Sequence, residues 1–440
     1  MVTKTTAPVL LVRFNLPAMT TTPTSSTSTP RKALVLVISL FFLWALTSNL
    51  LPSLIPHLKK ACQLTDFESG FIDSAYWIAY FVMAIPAANL MRRYSYKTAI
   101  ITGLLIAALG TFLFYPAAEV RQFGFFLFAL FLVASGMTFL ETAANPYMTV
   151  LGKPETASQR LNFAQAFNGL GAFVATFFLS KMLLSGTEHT AAEIQSMSPA
   201  ALETYLASEA ERVKLPYVGI GLVLLLVAAL MYFARMPKVQ EEQGRFRLDL
   251  AVFRHRHFSW GVITQFFYVG AQVCISSFFI RYCQAAADMS EKSATELLGY
   301  LLLPFMIGRY IGTFLMQKIA PQKLLAIYSA CNIVLLLYAV AIGGQGGAFA
   351  LLGVEFFMSI MFPTIFALGI RDLGAETKNG SSFMVMSIVG GALIPLALTY
   401  ISQRSSMQTG YIVPLICFVV VLYYGVSGYR IRAAAAAAHG

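Results

Sequence analysis

The sequence predicts an all-α polytopic membrane protein, with twelve transmembrane helices in two pseudo-symmetric six-helix bundles. Three observations lead there. Of 440 residues, 58% are hydrophobic and only 12% charged, with a mean hydropathy of +0.69, whereas a soluble domain carries about 25% charged residues. Twelve apolar runs are each long enough to cross about 30 Å of hydrocarbon as a helix. Two short sequence blocks recur at a spacing of half a chain.

The runs occupy residues 33–56, 70–91, 98–118, 123–148, 160–184, 215–234, 258–282, 295–316, 322–343, 347–370, 380–402 and 408–429. Their continuity excludes a transmembrane β-barrel, whose strands are short and alternate apolar with polar. Ahead of the first run, residues 1–32 contain TTTPTSSTSTP (20–30), a Ser/Thr/Pro tract without material for a core, and this segment is expected to be disordered. APVLLV (7–12) is too short for a secretory signal and is interrupted by Arg13. The six runs of an N-terminal bundle (33–235) are followed by a basic linker (236–257), a C-terminal bundle (258–430) and a low-complexity tail (431–440). Within the linker, RFRLDLAVFRHRH (245–257) reads as a solvated loop facing lipid headgroups rather than a nucleic-acid patch.

The halves carry traces of a common origin. LMRRYSYKTAI (90–100) resembles LMQKIAPQKLLAI (315–327), and LGKPET (151–156) resembles LGAET (373–377). The offsets, 225 and 222 residues, both relate run n to run n+6. Two such halves suit a transporter that rocks about a central site. With the N-terminus cytoplasmic, 21 of the 31 Lys and Arg fall on the cytoplasmic side and 9 outside, with Arg309 within a run. The positive-inside tendency therefore places both termini in the cytoplasm. The net charge of +11 follows from this bias and the linker, and implies no nucleic-acid partner.

Several function classes find no support. The five cysteines show neither metal-ligand spacing nor a disulfide framework. No P-loop or dinucleotide fingerprint points to a nucleotide or a bound cofactor. A membrane enzyme would need a His/Asp constellation or a metal site, and a channel would need a pore loop or rings of like charge; neither is visible.

Glu296 sits at the very start of the eighth run; three acids lie deeper inside the runs: Asp73, Glu141 and Glu355. An ionised acid at mid-membrane costs about 2.5–3.5 kcal/mol on insertion scales, so each must be paired, protonated or wetted. Glu141 lies in FLETAANPYMTVLG (139–152). Burial favours the neutral acid, which suits a residue that takes up and releases a proton; the competing reading is a tether to a neighbouring helix. Asn145 follows one turn later on the same face. Pro146 then frees a carbonyl, tolerable where backbone lines a cavity. For Glu355, in the outer half of the tenth run, structural and functional readings stand level. Asp73 reads as a wetted helix terminus. Arg309 has three options: substrate contact, pairing with an acid, or snorkelling to the interface.

Polar stripes mark two further runs. In the fifth, Asn162, Gln165 and Asn168 share a broad face beside Gly169 and Gly171; in the seventh, Gln265, Tyr268, Gln272 and Ser276 form another. Amides, phenols and flat rings suit sugar recognition, while helix–helix hydrogen bonding is the plain alternative.

The blocks SLFFLWAL (39–46), LETAANPYMTVLG (140–152), RLNFAQAFN (160–168), FYVGAQ (267–272), FPTIFALGI (362–370) and GSSFMVMSIVGG (380–391) resemble the fucose–galactose–glucose:proton symporter branch of the major facilitator superfamily. The resemblance runs from about residue 33 to 430, in order. It implies the major facilitator fold, alternating access, and monomeric uptake of a neutral monosaccharide across a bacterial inner membrane, driven by a proton gradient without a cofactor. L-fucose is the first substrate expected, then galactose, glucose or N-acetylglucosamine. Glu141 would be the proton-responsive carboxylate. Gln165, Asn168 and Gln272 would line the cavity with Asn49, Asn145 and Tyr268, and Asp73, Arg309 and Glu355 would be secondary charged sites. One departure stands out: the family's first helix carries an Asp where this chain has Pro52. Either Glu141 couples the proton without it, assisted by Asp73 or Glu355, or coupling is altered and the protein is a facilitator or exchanger. A sugar sensor built on the same fold is the reading from another class, and would normally add a signalling domain.

Overall fold

A computed structural model describes residues 31–49, 62, 66–179, 193, 196–237 and 250–431. The first half contains α1 (Arg31–Ser48), α2 (Asp66–Arg93), α3 (Tyr96–Val120), α4 (Phe123–Val150), α5 (Ala157–Val174) and α6 (Pro199–Phe233). The second contains α7 (Arg256–Ala287), α8 (Lys292–Leu315), α9 (Pro321–Ala341), α10 (Gly344–Gly369), α11 (Gly374–Arg404) and α12 (Met407–Gly428). Turns at Tyr300–Leu301 and Ser359–Ile360 bend α8 and α10. Among the described residues, nine helices are long and apolar enough to cross a membrane; α1, whose apolar stretch is the shorter Leu34–Ser48, α2 and α5 complete the twelve. Most of the 1–32 segment and of the 431–440 tail, the linker residues 238–249 and Pro52 lie outside the described residues.

One helix exceeds its apolar run by several turns. α6 begins at Pro199, a full sixteen residues before the run at 215. The extension is rich in Ala, Leu and Glu, good helix formers whatever their hydropathy. Ser198 caps it by accepting from the Ala201 amide. Ion pairs Arg121–Glu203 and Lys214–Glu119 bind it to the turn after α3.

The repeat seen in the sequence reappears in the packing. α1 packs on α5 as α7 packs on α11; α2 on α4 as α8 on α10; α3 on α6 as α9 on α12. A methyl group added at Gly171 of α5 would collide with the Phe42 carbonyl of α1, and one at Gly390 of α11 with the Phe266 carbonyl of α7. Both contacts thus need a residue without a Cβ. The LGKPET and LGAET blocks each hold a 3-10 turn: Pro154–Thr156 leads into α5, and Gly374–Glu376 opens α11.

The halves meet chiefly at one end, where α4 turns into α5 and α10 into α11. There the start of α11 packs on α2 and α4, and the end of α10 on α5. Asn162 Nδ2 donates to Thr364 Oγ1 at 3.0 Å. The Lys378 ammonium lies 5.3 Å from the centre of the Tyr96 ring. No comparable contact joins the halves at the other end among the described residues.

Prolines explain two contacts between helices, one across the halves and one within the second. Pro146 lacks the N–H that would serve the Thr142 carbonyl four residues earlier. Ser381 Oγ, from the other half, donates to that carbonyl at 2.7 Å. In α10, Pro363 leaves the Ser359 carbonyl without its helical donor in the same way, and Arg309 Nε donates to it at 2.7 Å. Each freed carbonyl thus recruits a side chain from another helix.

Candidate functional site

Between the halves lies a cavity of about 390 Å³, within the range of small-molecule sites, about 300–1,000 Å³. Its N-terminal wall comprises Trp44, Ser48 and Asn49 of α1, Tyr76, Trp77 and Tyr80 of α2, Glu141 of α4, and Gln165 and Asn168 of α5. The C-terminal wall comprises Val269, Gln272, Val273, Ser276 and Ser277 of α7, Leu302, Phe305 and Arg309 of α8, Phe362 of α10 and Ile388 of α11.

Glu141 is 2% exposed, and among the described residues it forms no ion pair. An aromatic network surrounds it. Trp44 Nε1 donates to the Tyr80 hydroxyl at 2.9 Å. Tyr76 donates to Ser48 Oγ at 2.9 Å and lies 3.3 Å from Tyr80. Because the indole can only donate, the Tyr80 oxygen accepts from it, which leaves the Tyr80 O–H for the Glu141 carboxyl, with which Tyr80 interacts. The acid thus has a phenol to bond and rings around it, but no cation.

The remaining expected residues divide. Asn49, Gln165, Asn168 and Gln272 line the cavity. Asn49 Nδ2 donates to the Ala45 carbonyl at 2.8 Å, and Asn168 Nδ2 to the Phe41 carbonyl at 3.3 Å. Asn145 does not reach the cavity. It is fully buried, and its Oδ1 accepts from Gln165 Nε2 at 3.1 Å, so it orients Gln165 from behind.

Tyr268 also lies behind the wall, fully buried, with its hydroxyl donating to the Met358 carbonyl at 3.1 Å. One turn from Gln272 on α7, its ring turns to the backbone of α10 instead of the cavity. Glu355, 4% exposed, is not part of the lining; it meets Ser276 Oγ at 3.1 Å. The side chain of Asp73 lies outside the described residues.

Arg309 overturns the snorkelling option. It is 4% exposed, donates from Nε to Ser359 and from Nη1 to the Gln165 carbonyl at 2.8 Å, and lies 4.5 Å from the Phe305 ring centre. Nor does it pair with an acid among the described residues. The carbonyl that Pro363 leaves open draws the guanidinium inward, and its second bond joins α8 to α5 across the halves.

Sequence reasoning missed Trp44, Ser48, Tyr76, Trp77 and Tyr80. The spacing of Tyr76, Trp77 and Tyr80 (i, i+1, i+4) was the available signal, since it sets three large polar-tipped rings on adjoining faces of one helix.

A twelve-helix bundle split about a polar cavity, with a buried acid in its wall, defines a membrane transporter of the alternating-access kind. The model of the Major Facilitator Superfamily matches residues 36–397, and the chain belongs to that family. It is 41% identical over 399 residues to the L-fucose-proton symporter of Escherichia coli (strain K12), covering 88% of this chain and 91% of the relative. It is 38% identical over 411 residues to a glucose/galactose transporter of Brucella abortus (strain 2308), covering 92% and 96%. The crystal structure of the major facilitator transporter FucP in the outward conformation matches with a TM-score of 0.84 and 40% identity, over 90% of this chain and 98% of that one.

Proposed function

We propose that this protein carries a neutral monosaccharide, L-fucose before galactose, glucose or N-acetylglucosamine, across a bacterial inner membrane together with a proton. Its driving force is the proton gradient, and one chain supplies both walls of the cavity, so it works as a monomer. Both termini are cytoplasmic, and the closed end of the bundle therefore faces the cytoplasm while the cavity faces outward. The relatives' names support the substrate class, and the likeness to an outward structure supports the state.

The observation that carries the coupling role is Glu141: a buried acid with no cationic partner among the described residues, beside the Tyr80 phenol at the edge of a sugar-sized cavity. A carboxyl so placed is most stable neutral. Sugar hydroxyls need donors and acceptors in pairs; Gln165, Asn168, Gln272 and Asn49 supply amides, while Trp44, Trp77 and Phe362 supply ring faces. Few charges line the cavity, which disfavours an ionic substrate. Inward release requires the closed end to open, breaking Arg309–Gln165, Ser381–Thr142 and Asn162–Thr364 together.

The test is Glu141→Gln in proteoliposomes. Sugar exchange without a gradient is expected to persist, and accumulation against a sugar gradient to be lost. Wild-type accumulation by this variant would remove Glu141 from the coupling role.

A further inference from the structure

A second buried acid lies one side chain away from the cavity. Glu355 is held on α10 behind the C-terminal wall, and Ser276 of α7 is the side chain between it and the cavity. The Ser276 oxygen is 3.1 Å from Glu355 Oε1 and 3.1 Å from the Gln272 carbonyl. A hydroxyl has one hydrogen to give. The Gln272 carbonyl already accepts the Ser276 amide within α7, so the hydroxyl is free to serve the acid. With Glu355 ionised, Ser276 donates its hydrogen to the carboxylate; with Glu355 protonated, the carboxyl donates to Ser276 and the hydroxyl turns to the Gln272 carbonyl. Both states are accommodated, so this acid can gain and lose a proton without stranding a polar group.

Among the described residues, the surrounding helices supply no cation to hold the acid ionised. Tyr268 of α7 and Tyr411 of α12 interact with Glu355, and both are phenols. From α9, Tyr328 packs on the Phe356 and Phe357 rings. Arg309 of α8 spends its bonds on the Ser359 and Gln165 carbonyls. Among the described residues Glu355 has no ion pair, and an unpaired carboxylate at this depth is costly.

We propose that Glu355 is a second proton-binding carboxyl of the transport cycle, exchanging its proton with the cavity through the Ser276 hydroxyl. The proposal rests on the proton-symport reading. In the exchange, the Glu355 proton passes to Ser276 as the Ser276 proton passes to a water or sugar hydroxyl in the cavity, so one proton moves and nothing is oxidised or reduced. The carboxylate left behind takes the Ser276 hydrogen, and the hydroxyl gives up its bond to the Gln272 carbonyl, which keeps the helical one. The protonation state of Glu355 is thereby registered on the turn of α7 that presents Gln272 to the sugar.

The experiment combines infrared spectroscopy of the protein in lipid at neutral pH with uptake of labelled L-fucose. Glu355→Gln keeps a hydrogen-bonding amide against Ser276 and is chosen to preserve folding, which the sugar-exchange rate checks. The wild type and Glu141→Gln are expected to show a protonated-carboxyl band that Glu355→Gln lacks, and Ser276→Ala to keep that band at a shifted frequency. Gradient-driven accumulation is expected to fall in Glu355→Gln, with a flattened pH profile of exchange. A spectrum of Glu355→Gln that matches the wild type overturns the proposal, as does wild-type accumulation with an unchanged pH profile. Failure of the wild type itself to accumulate sugar would instead remove the symport reading, and the transport role of Glu355 with it, while the spectrum would still decide its protonation.

Discussion

The two halves pack alike and face the cavity with different chemistry. Gly171 under the Phe42 carbonyl and Gly390 under the Phe266 carbonyl are counterparts, as are the two 3-10 turns where α5 and α11 begin. The walls built on these frames diverge. The N-terminal wall sets an acid among two Trp and two Tyr, with Gln165 and Asn168 below; the C-terminal wall is Val, Leu, Ile and Phe, relieved by Gln272, two Ser and Arg309. At the 222-residue offset between the repeated blocks, Glu141 maps to Pro363, next to Phe362. Where one half carries the acid, the other presents a ring.

The difference teaches that duplication preserves the backbone contacts that allow rocking, while the lining is free to specialise. Even the freed carbonyls follow this division. Pro146 leaves Thr142 to a hydroxyl from the opposite half, and Pro363 leaves Ser359 to a buried guanidinium from its own.

The largest expected effect comes from breaking the second of these. Arg309→Met leaves the Ser359 carbonyl buried without a donor, at about 1–3 kcal/mol, and removes the bond to Gln165, about 1 kcal/mol more. Ser381→Ala loses only the Thr142 bond and should cost less. Thermal unfolding in detergent ranks them; an Arg309→Met protein as stable as Ser381→Ala would contradict the accounting. Both variants remove a cross-half bond, Arg309–Gln165 or Ser381–Thr142, and both should shift the bundle toward opening at that end.

A smaller effect separates the walls. Gln272→Ala should weaken sugar binding by roughly tenfold, the worth of one to two hydrogen bonds, with little change in stability, since its amide has no partner among the described residues. Asn168→Ala should weaken binding too and also lower stability slightly, because Asn168 bonds the Phe41 carbonyl of α1. Equilibrium binding together with unfolding checks both. Equal stability losses would mean that Gln272 is a structural residue.

Much of this architecture was legible in the sequence. Hydropathy located the helices because lipid demands apolar length, and Glu141 stood out because an acid in such a run is costly. Gln165, Asn168 and Gln272 followed from polar spacing. Other features were hidden for physical reasons. Tyr76 and Tyr80 read as ordinary membrane aromatics, since a ring against lipid and a ring against a cavity look alike in one dimension. Tyr268 lies only one turn from Gln272 on α7, and which of them meets the cavity needs the packing to resolve. Arg309 kept three options in the sequence because its partner Ser359 is a carbonyl freed by a proline far along the chain, and no local pattern announces that bond. The start of α6 lay outside the reading because hydropathy marks only the apolar run, and the charged turns before it are helical without being apolar.

The most direct measurement is uptake of labelled L-fucose into wild-type proteoliposomes, with and without an inward proton gradient. Accumulation above equilibrium only when the gradient is imposed is the result predicted if Glu141 couples the proton in a chain with Pro52 in its first run. Equilibration at the same level with and without the gradient would contradict proton symport and leave a facilitator.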